Sequence, residues 1–256
     1  MSVIETTARD IMGAYTHSPI APVRERLNGV TEAYAVQQLT VRGWLANGRR
    51  IAGRKIGLTA KAVQQQLGVD EPDYGVIFAD MVVPDGGEVA KGMVLQPRVE
   101  AEIAFVLKRD LSGSAVTPED VIAATDYVCP ALEICGSRIA EWNIKIEDTV
   151  ADNASAGLIV LGESRSAADL SQLPQIGVRL SHNGSVAVEG CGEACLGNPA
   201  IAVAWLAQAL ARYGEGLQAG DIVMSGALAR MLLASPGDTF DADFGAFGSV
   251  NVTFAG

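Results

Sequence analysis

The sequence predicts an α+β fold, with a helical N-terminal segment leading into a β-rich body. Residues 1–52 carry apolar side chains at helical spacing, whereas beyond Gly53 the chain breaks into short apolar runs punctuated by glycine and proline. Twenty-eight glycines against 5% aromatic residues favour many tight turns over a helical bundle. The helices that do recur are interspersed irregularly among the strands. A doubly wound sheet would show strict βαβ alternation.

Taken in order, Thr31 is placed to cap a helix whose apolar positions include Tyr34, Val36, Leu39 and Leu45, and Gly48 offers its stop. The change of composition divides the chain into a helical subdomain, 1–52, and a β-rich domain, 53–256, without a flexible linker. Val76–Ala79 reads as a short strand and Pro84-Asp85-Gly86-Gly87 as a turn. Val99–Leu107 alternates and is rich in strand formers, and Ala131–Cys135 is another apolar run. Between them, Thr117-Pro118-Glu119-Asp120 opens a helix, with a capping hydroxyl, proline at the first position and acids at the positive end. Val178–Glu189 is centred on Asn183-Gly184, a hairpin signal because a type I′ turn needs positive φ at both central residues. Asn198-Pro199 opens a second helix through Ala202, Leu206 and Leu210, which Gly214 ends. Asp221–Ser225 and Ser249–Phe254 are the last strands.

Charge excludes some functions. A net charge of −11 repels nucleic-acid phosphates and anionic lipid, so neither is expected as a partner. A small carboxylate substrate would need a local cation to reverse that field. Met1–Ala14 carries acids and no long apolar run, which is unlike a secretory signal, and no uninterrupted apolar stretch approaches the ~20 residues needed to span a bilayer. The expected compartment is the cytoplasm. There Cys129, Cys135, Cys191 and Cys195, with no histidines nearby, read as buried free thiols. No GxGxxG or P-loop is present, and His17 and His182 have no triad-like surroundings.

The chemistry-bearing residues are acids inside apolar runs. On a strand, Glu100 and Glu102 share a face, roughly 7 Å apart. Ala104 and Val106 continue that face, so two carboxylates stand among groups that want burial. Glu133 is a third acid, inside Pro130–Cys135. Burying like charges requires a cation or a proton, and three carboxylates suit a hard ion such as Mg2+ or Mn2+. Spacing alone also allows a solvated strand face. Lys55, in Gly53–Thr59, can reach a carboxylate or enolate oxygen or can be a solvated loop lysine. Asp80, after Val76–Ala79, can be an acid/base group at a strand end or a turn aspartate. Asp148–Gly157 and Ser225-Gly226 suit ligand-binding loops and ordinary turns equally well.

Together the stretches GRKIGLTAKAVQQQLGVDEPDYGVIFADM, QPRVEAEIAFVLKRDL, PALEICGSRI, WNIKIEDTVADNASAGLIVLG, AWLAQAL, LQAGDIVMSGAL and GSVNVTF, spanning Gly53–Phe254, resemble the 2-hydroxypenta-2,4-dienoate (2-keto-4-pentenoate) hydratases of aromatic catabolism. That family lies within the fumarylacetoacetate hydrolase-like superfamily. The resemblance implies a mixed β-roll or barrel-like body with an N-terminal helical subdomain, assembled as a homo-oligomer. It places metal ligation on Glu100, Glu102 and Glu133, catalytic roles on Lys55 and Asp80, and substrate contacts on Leu58, Ser155 and Ser225. The implied reaction is metal-dependent hydration of a 2-hydroxy-2,4-dienoate to a 4-hydroxy-2-oxo acid. A 4-oxalocrotonate-type decarboxylase is the nearest alternative, to which PDGGEV near residue 85 has some likeness. A non-catalytic metal-binding subunit associated with a pathway enzyme is another.

Overall fold

Two helices lead the chain. In α1 (Val3–Ala14) the Ser2 hydroxyl accepts from the Glu5 N–H, and the Glu5 carboxylate accepts from the Ser2 N–H, so both ends of a capping box are made. The second helix, α2 (Val30–Ala46), is capped by Gly29 at φ +81° and not by Thr31, which falls inside the first turn. Gly29 makes a reversal that a side chain would resist. Gly48, at φ +85°, lies just beyond the helix end as expected. The inner face of α2 binds the body: Tyr34 stacks on Tyr74, Trp44 meets Phe78 edge-on, and the Gln37 amide donates to the Tyr74 and Val150 carbonyls. Leu45 instead faces outward.

The computed structural model describes residues 1–61, 64–65 and 69–256, and the side chains of all of these except 165–169. Residues 62–63 and 66–68 of the Gly53–Met81 motif lie outside the described residues. Among the described residues, fourteen strands follow these two helices. They are β1 (Ile51–Gly57), β2 (Asp73–Phe78), β3 (Val82–Pro84), β4 (Glu88–Val89), β5 (Arg98–Leu107), β6 (Thr125–Cys135) and β7 (Leu158–Leu161). The rest are β8 (Arg165–Ser166), β9 (Gly177–His182), β10 (Ser185–Cys191), β11 (Ile222–Met224), β12 (Leu232–Leu233), β13 (Thr239–Asp243) and β14 (Ser249–Phe254). Further helices described in full are α3 (Pro118–Ala124), α4 (Ile146–Ala151) and α5 (Pro199–Ala211).

One sheet runs β2-β1-β11-β5-β6-β7-β3, with β12 added on β5 and β8 on β6, and forms a curled half-barrel. The other runs β10-β9-β13-β14-β4. Parallel pairs (β1 with β11, β3 with β7, β4 with β14) sit among antiparallel ones, so the mixed α+β class is the one the chain adopts. The Asn183-Gly184 hairpin forms between β9 and β10 with both residues at positive φ. Strand β6 is longer than the predicted Ala131–Cys135, because it runs straight through Pro130. Proline removes one ladder donor, but the Pro130 carbonyl still accepts from the Gly162 N–H at 2.9 Å.

Among the described residues one helical stretch, Gly192–Ala211, is long and apolar enough to cross a bilayer by length and composition, although Glu193 and Asn198 interrupt its apolar run. Its helical part, α5, is capped by Asn198 and buries Ala202, Val203, Leu206 and Leu210 completely within the protein core. A core helix carries the same composition as a membrane span.

Candidate active site

The three glutamates meet because β5 and β6 pair with Glu100 opposite Glu133. Glu102 lies two residues further along the same face of β5. All three are buried, Glu102 at 0% and Glu133 at 1% exposure. Glu102 Oε2 accepts the Gly226 N–H at 2.9 Å, which ties β5 to the loop after β11. Glu102 Oε1 and Glu133 Oε2 have no hydrogen-bond partner among the described residues. A buried oxygen such as Glu102 Oε1 normally finds a partner, so it marks a place for a group that binds there, while Glu133 Oε2 is left to an ion pair with Lys55.

Next to the acids stands a lysine made possible by glycine. In the β1–β2 pairing, Lys55 faces Gly75 and Gly57 faces Asp73. With a period of two, Lys55, Gly57, Asp73 and Gly75 share one face, so each long charged side chain sits opposite a residue with none. A Cβ on Gly57 would come within 2.3 Å of Asp73 Oδ1, and one on Gly75 within 2.2 Å of the Asn153 carbonyl. Lys55 Nζ lies 3.4 Å from Glu133 Oε2 and donates to the Ala154 carbonyl at 3.0 Å.

That carbonyl comes from a strained turn. Asn153, Ala154 and Ser155 all have φ between +50° and +55°, a conformation that costs non-glycine residues energy and clusters at functional sites. Buried bonds hold it in place. The Asn153 side chain accepts from the Val76 N–H and donates to the Val76 carbonyl, and Arg138 forms an ion pair with Asp152. Thr149, from α4, donates to Asp73 Oδ2 at 3.4 Å and shares a hydrogen bond with Ser155 Oγ.

Burial dominates the electrostatics. It pushes the Glu100 carboxyl up to about 7, with Glu133 adding repulsion. Glu102 is driven well above the carboxylate range by burial and then by Glu133 and Glu100. Burial also raises Glu133 and Asp73, opposed in both cases by Lys55. For Lys55 burial disfavours the charge, yet Glu133 and the neighbouring acids outweigh it and hold the ammonium well above its ordinary pKa. One lysine thus faces four buried carboxyls, an excess of acid that calls for further positive charge or for protons.

Comparison with known proteins decides the family. The family described as Fumarylacetoacetate (FAA) hydrolase C-terminal matches residues 46–255. A protein of Dechloromonas aromatica named 2-keto-4-pentenoate hydratase 2 is 51% identical over 240 residues, covering 93% of this chain and 91% of that one. The chain belongs to the 2-keto-4-pentenoate hydratase family, within the fumarylacetoacetate hydrolase superfamily. A second member, 2-keto-4-pentenoate hydratase of Paraburkholderia xenovorans, is 49% identical over 92% of this chain and 88% of its own length. The solved structure of 4-oxalocrotonate decarboxylase from Pseudomonas putida G7, complexed with magnesium and adipate, superposes with a TM-score of 0.92. It is 35% identical, covering 98% of this chain and 97% of that one.

The residues predicted from this hydratase family's motifs divide into two groups. Glu100, Glu102, Glu133, Lys55 and Ser155 are brought together in the buried cluster. Leu58, at φ +59°, joins Glu100, Thr59, Ala194, Ala227 and Met231 in lining a cavity of about 340 Å3 beside it. Ser225 is also close, but its hydroxyl is committed to the Ile103 carbonyl at 2.8 Å and is fully buried. Asp80 is not brought there. It sits on an exposed turn, where Arg49 grips both of its oxygens. The buried aspartate beside Lys55 is Asp73, which sequence reasoning passed over. The available signal was its place in Glu71-Pro72-Asp73-Tyr74-Gly75, where a strand begins directly after proline.

Proposed function

We propose that this enzyme is a metal-dependent hydratase that adds water to a 2-hydroxy-2,4-dienoate to give a 4-hydroxy-2-oxo acid. The observation that carries the reading is the set of three buried glutamates on one sheet face with Lys55 and Asp73, with Glu102 Oε1 left without a partner among the described residues. Its fit to a divalent cation is chemical: hard oxygen donors, too few positive charges around them, and burial that makes their repulsion costly. Glu100, Glu102 and Glu133 are the residues that would hold Mg2+ or Mn2+. Bound there, such an ion supplies Lewis-acid polarisation of the substrate's carboxylate and 2-oxygen.

The chain's own groups supply the rest. Lys55, fixed by the Ala154 carbonyl, brings a permanent positive charge to an otherwise acidic cluster and favours an anionic head group. Asp73, whose Oδ1 has no hydrogen-bond partner among the described residues and whose pKa burial raises, is suited to moving a proton. In the reaction, the 2-hydroxyl loses its proton and C5 gains one, giving a 2-oxo-3-enoate. Water then adds at C4, with a proton placed at C3. We assign proton handling to Asp73 rather than to Asp80, which Arg49 already engages. The 340 Å3 cavity, walled largely by alanine, leucine and methionine side chains, is suited to the hydrocarbon end of the diene.

Hydration is preferred to decarboxylation because the hydratases are about half identical to this chain and the decarboxylase about a third. The test uses purified protein, Mg2+ and 2-hydroxypenta-2,4-dienoate, which has no carboxylate to lose by the decarboxylase route. Metal-dependent loss of its ultraviolet absorbance, with a product heavier by one water, is the expected result. An untouched diene together with CO2 release from 4-oxalocrotonate would replace this reading with the decarboxylase one.

A further inference from the structure

The cluster contains one donor that a hard cation does not need. Cys135 lies two residues beyond Glu133 on the same face of β6, and its thiol donates to Glu100 Oε2 at 3.7 Å. Ligand atoms of Glu100, Glu133 and Cys135 all lie within 4.8 Å of one another, a spread that one ion can bridge. Cys135 is 3% exposed, so the thiol belongs to the interior of the cluster and not to the surface. The independent sign of a ligand is Glu102 Oε1, fully buried in the same cluster and without a partner among the described residues, while Glu133 Oε2 meets only the Lys55 ammonium at 3.4 Å.

Sulfur and oxygen donors choose different metals. Carboxylates suit magnesium and manganese, whereas a thiolate selects zinc-like ions, whose affinities already rank above those of manganese in mixed donor sets. Magnesium leaves sulfur out of its shell, so with that ion Cys135 remains a bystander. We propose that Cys135 gives this site a second binding mode, in which a thiophilic divalent cation of the zinc or cobalt class is held by the Cys135 sulfur with Glu100 and Glu133, in competition with the hard ion. The inference rests on the carboxylate metal site proposed above. On binding, the S–H proton leaves to solvent and a sulfur lone pair bonds the ion, with no change of oxidation state. Zinc is then an inhibitor that excess magnesium relieves.

Cobalt reports the contact directly, because a sulfur–cobalt bond gives a near-ultraviolet charge-transfer band that oxygen ligands do not. Metal-stripped wild type and Cys135→Val, the latter of similar volume and strand preference, are titrated with Co2+. We expect the band in wild type and its loss in Cys135→Val, while visible cobalt absorption shows that the variant still binds. Zinc affinity falls at least about tenfold in the variant, as expected for loss of a coordinating contact, and Mn2+ affinity moves much less. Cys191→Ser keeps the band, since that partly exposed thiol lies on β10 of the other sheet. Cys135→Ala, checked by circular dichroism, replaces the valine variant if that one misfolds. Cobalt binding to wild type without the charge-transfer band overturns the proposal and leaves the carboxylate site standing. Failure of cobalt, zinc and manganese to bind either protein removes the carboxylate site, and this inference with it.

Discussion

Acids behave in opposite ways on the two sheets. On the five-stranded sheet, Asp243 meets Arg179 at 2.6 Å in the open, and that hydrogen bond holds its carboxyl below the usual range. Asp238, just before β13, carries a slight burial penalty that bonds from Asn183 and His182 overcome, and its pKa is lowered too. On the nine-stranded sheet, Glu100, Glu102 and Glu133 have been taken out of water with one lysine between them, and all three are raised. The side-chain chemistry is nearly the same. What differs is water and the number of partners, and these separate an acid that serves the fold from one kept ready for a ligand.

The largest expected contrast is between Glu133→Gln or Glu102→Gln and Asp243→Asn. The two glutamine variants should lose at least about a hundredfold in metal-dependent turnover, as for loss of a metal contact, while circular dichroism stays native. The metal-free melting temperature of Glu102→Gln should rise, because a buried repulsion is removed while the Lys55–Glu133 pair is kept. Asp243→Asn should change turnover little, since its exposed pair with Arg179 lies on the other sheet. A Glu102→Gln variant that melts lower without metal would erase the distinction between the two sheets.

A second contrast sharpens the position of the proton-handling group. Asp73→Asn should lower kcat by at least about a hundredfold, in the range for removing a general acid/base. Asp80→Asn breaks only the exposed Arg49 contact and should leave kcat within about twofold. Equal losses in both would return Asp80 to the site.

The smallest effect is on stability against pH. Burial raises the Glu100 carboxyl to about 7 in the folded metal-free protein, from 4.5 for a free glutamate. The folded state therefore binds more protons between those values. The resulting stabilisation is complete below the unfolded pKa and is lost as pH rises through 7. Metal-free protein should melt at a higher temperature near pH 6 than near pH 8, by a few degrees at most. Saturating Mn2+ should flatten or reverse the slope. A metal-free profile that rises with pH over that interval would contradict the assignment.

Much of this arrangement was legible in the sequence, and the parts that were not share a cause. Alternation along Val99–Leu107 placed Glu100 and Glu102 on one face, and an acid inside Pro130–Cys135 marked Glu133, because both signals are local. For Asp73 the local signal, an acid opening a strand after Pro72, says nothing of its register against Gly57, a pairing between segments that no local pattern encodes. Asp80 drew notice as an acid at a strand end, and only the structure shows Arg49 closing on it. The left-handed turn at Asn153–Ser155 was missed for a related reason. Nothing in Asn-Ala-Ser demands positive φ at three consecutive residues; the clasp on Val76 and the Arg138–Asp152 pair impose it from outside.

The central claim is that a divalent cation compensates the charge of the three buried glutamates. Calorimetric titration of Mn2+ into metal-stripped protein near pH 8 tests it most directly. The account predicts one saturable site per chain, weakened at least about a hundredfold by Glu100→Gln, Glu102→Gln or Glu133→Gln and untouched by Asp243→Asn. Absence of saturable binding to the wild type, or binding that all three glutamine variants retain at full strength, would contradict it.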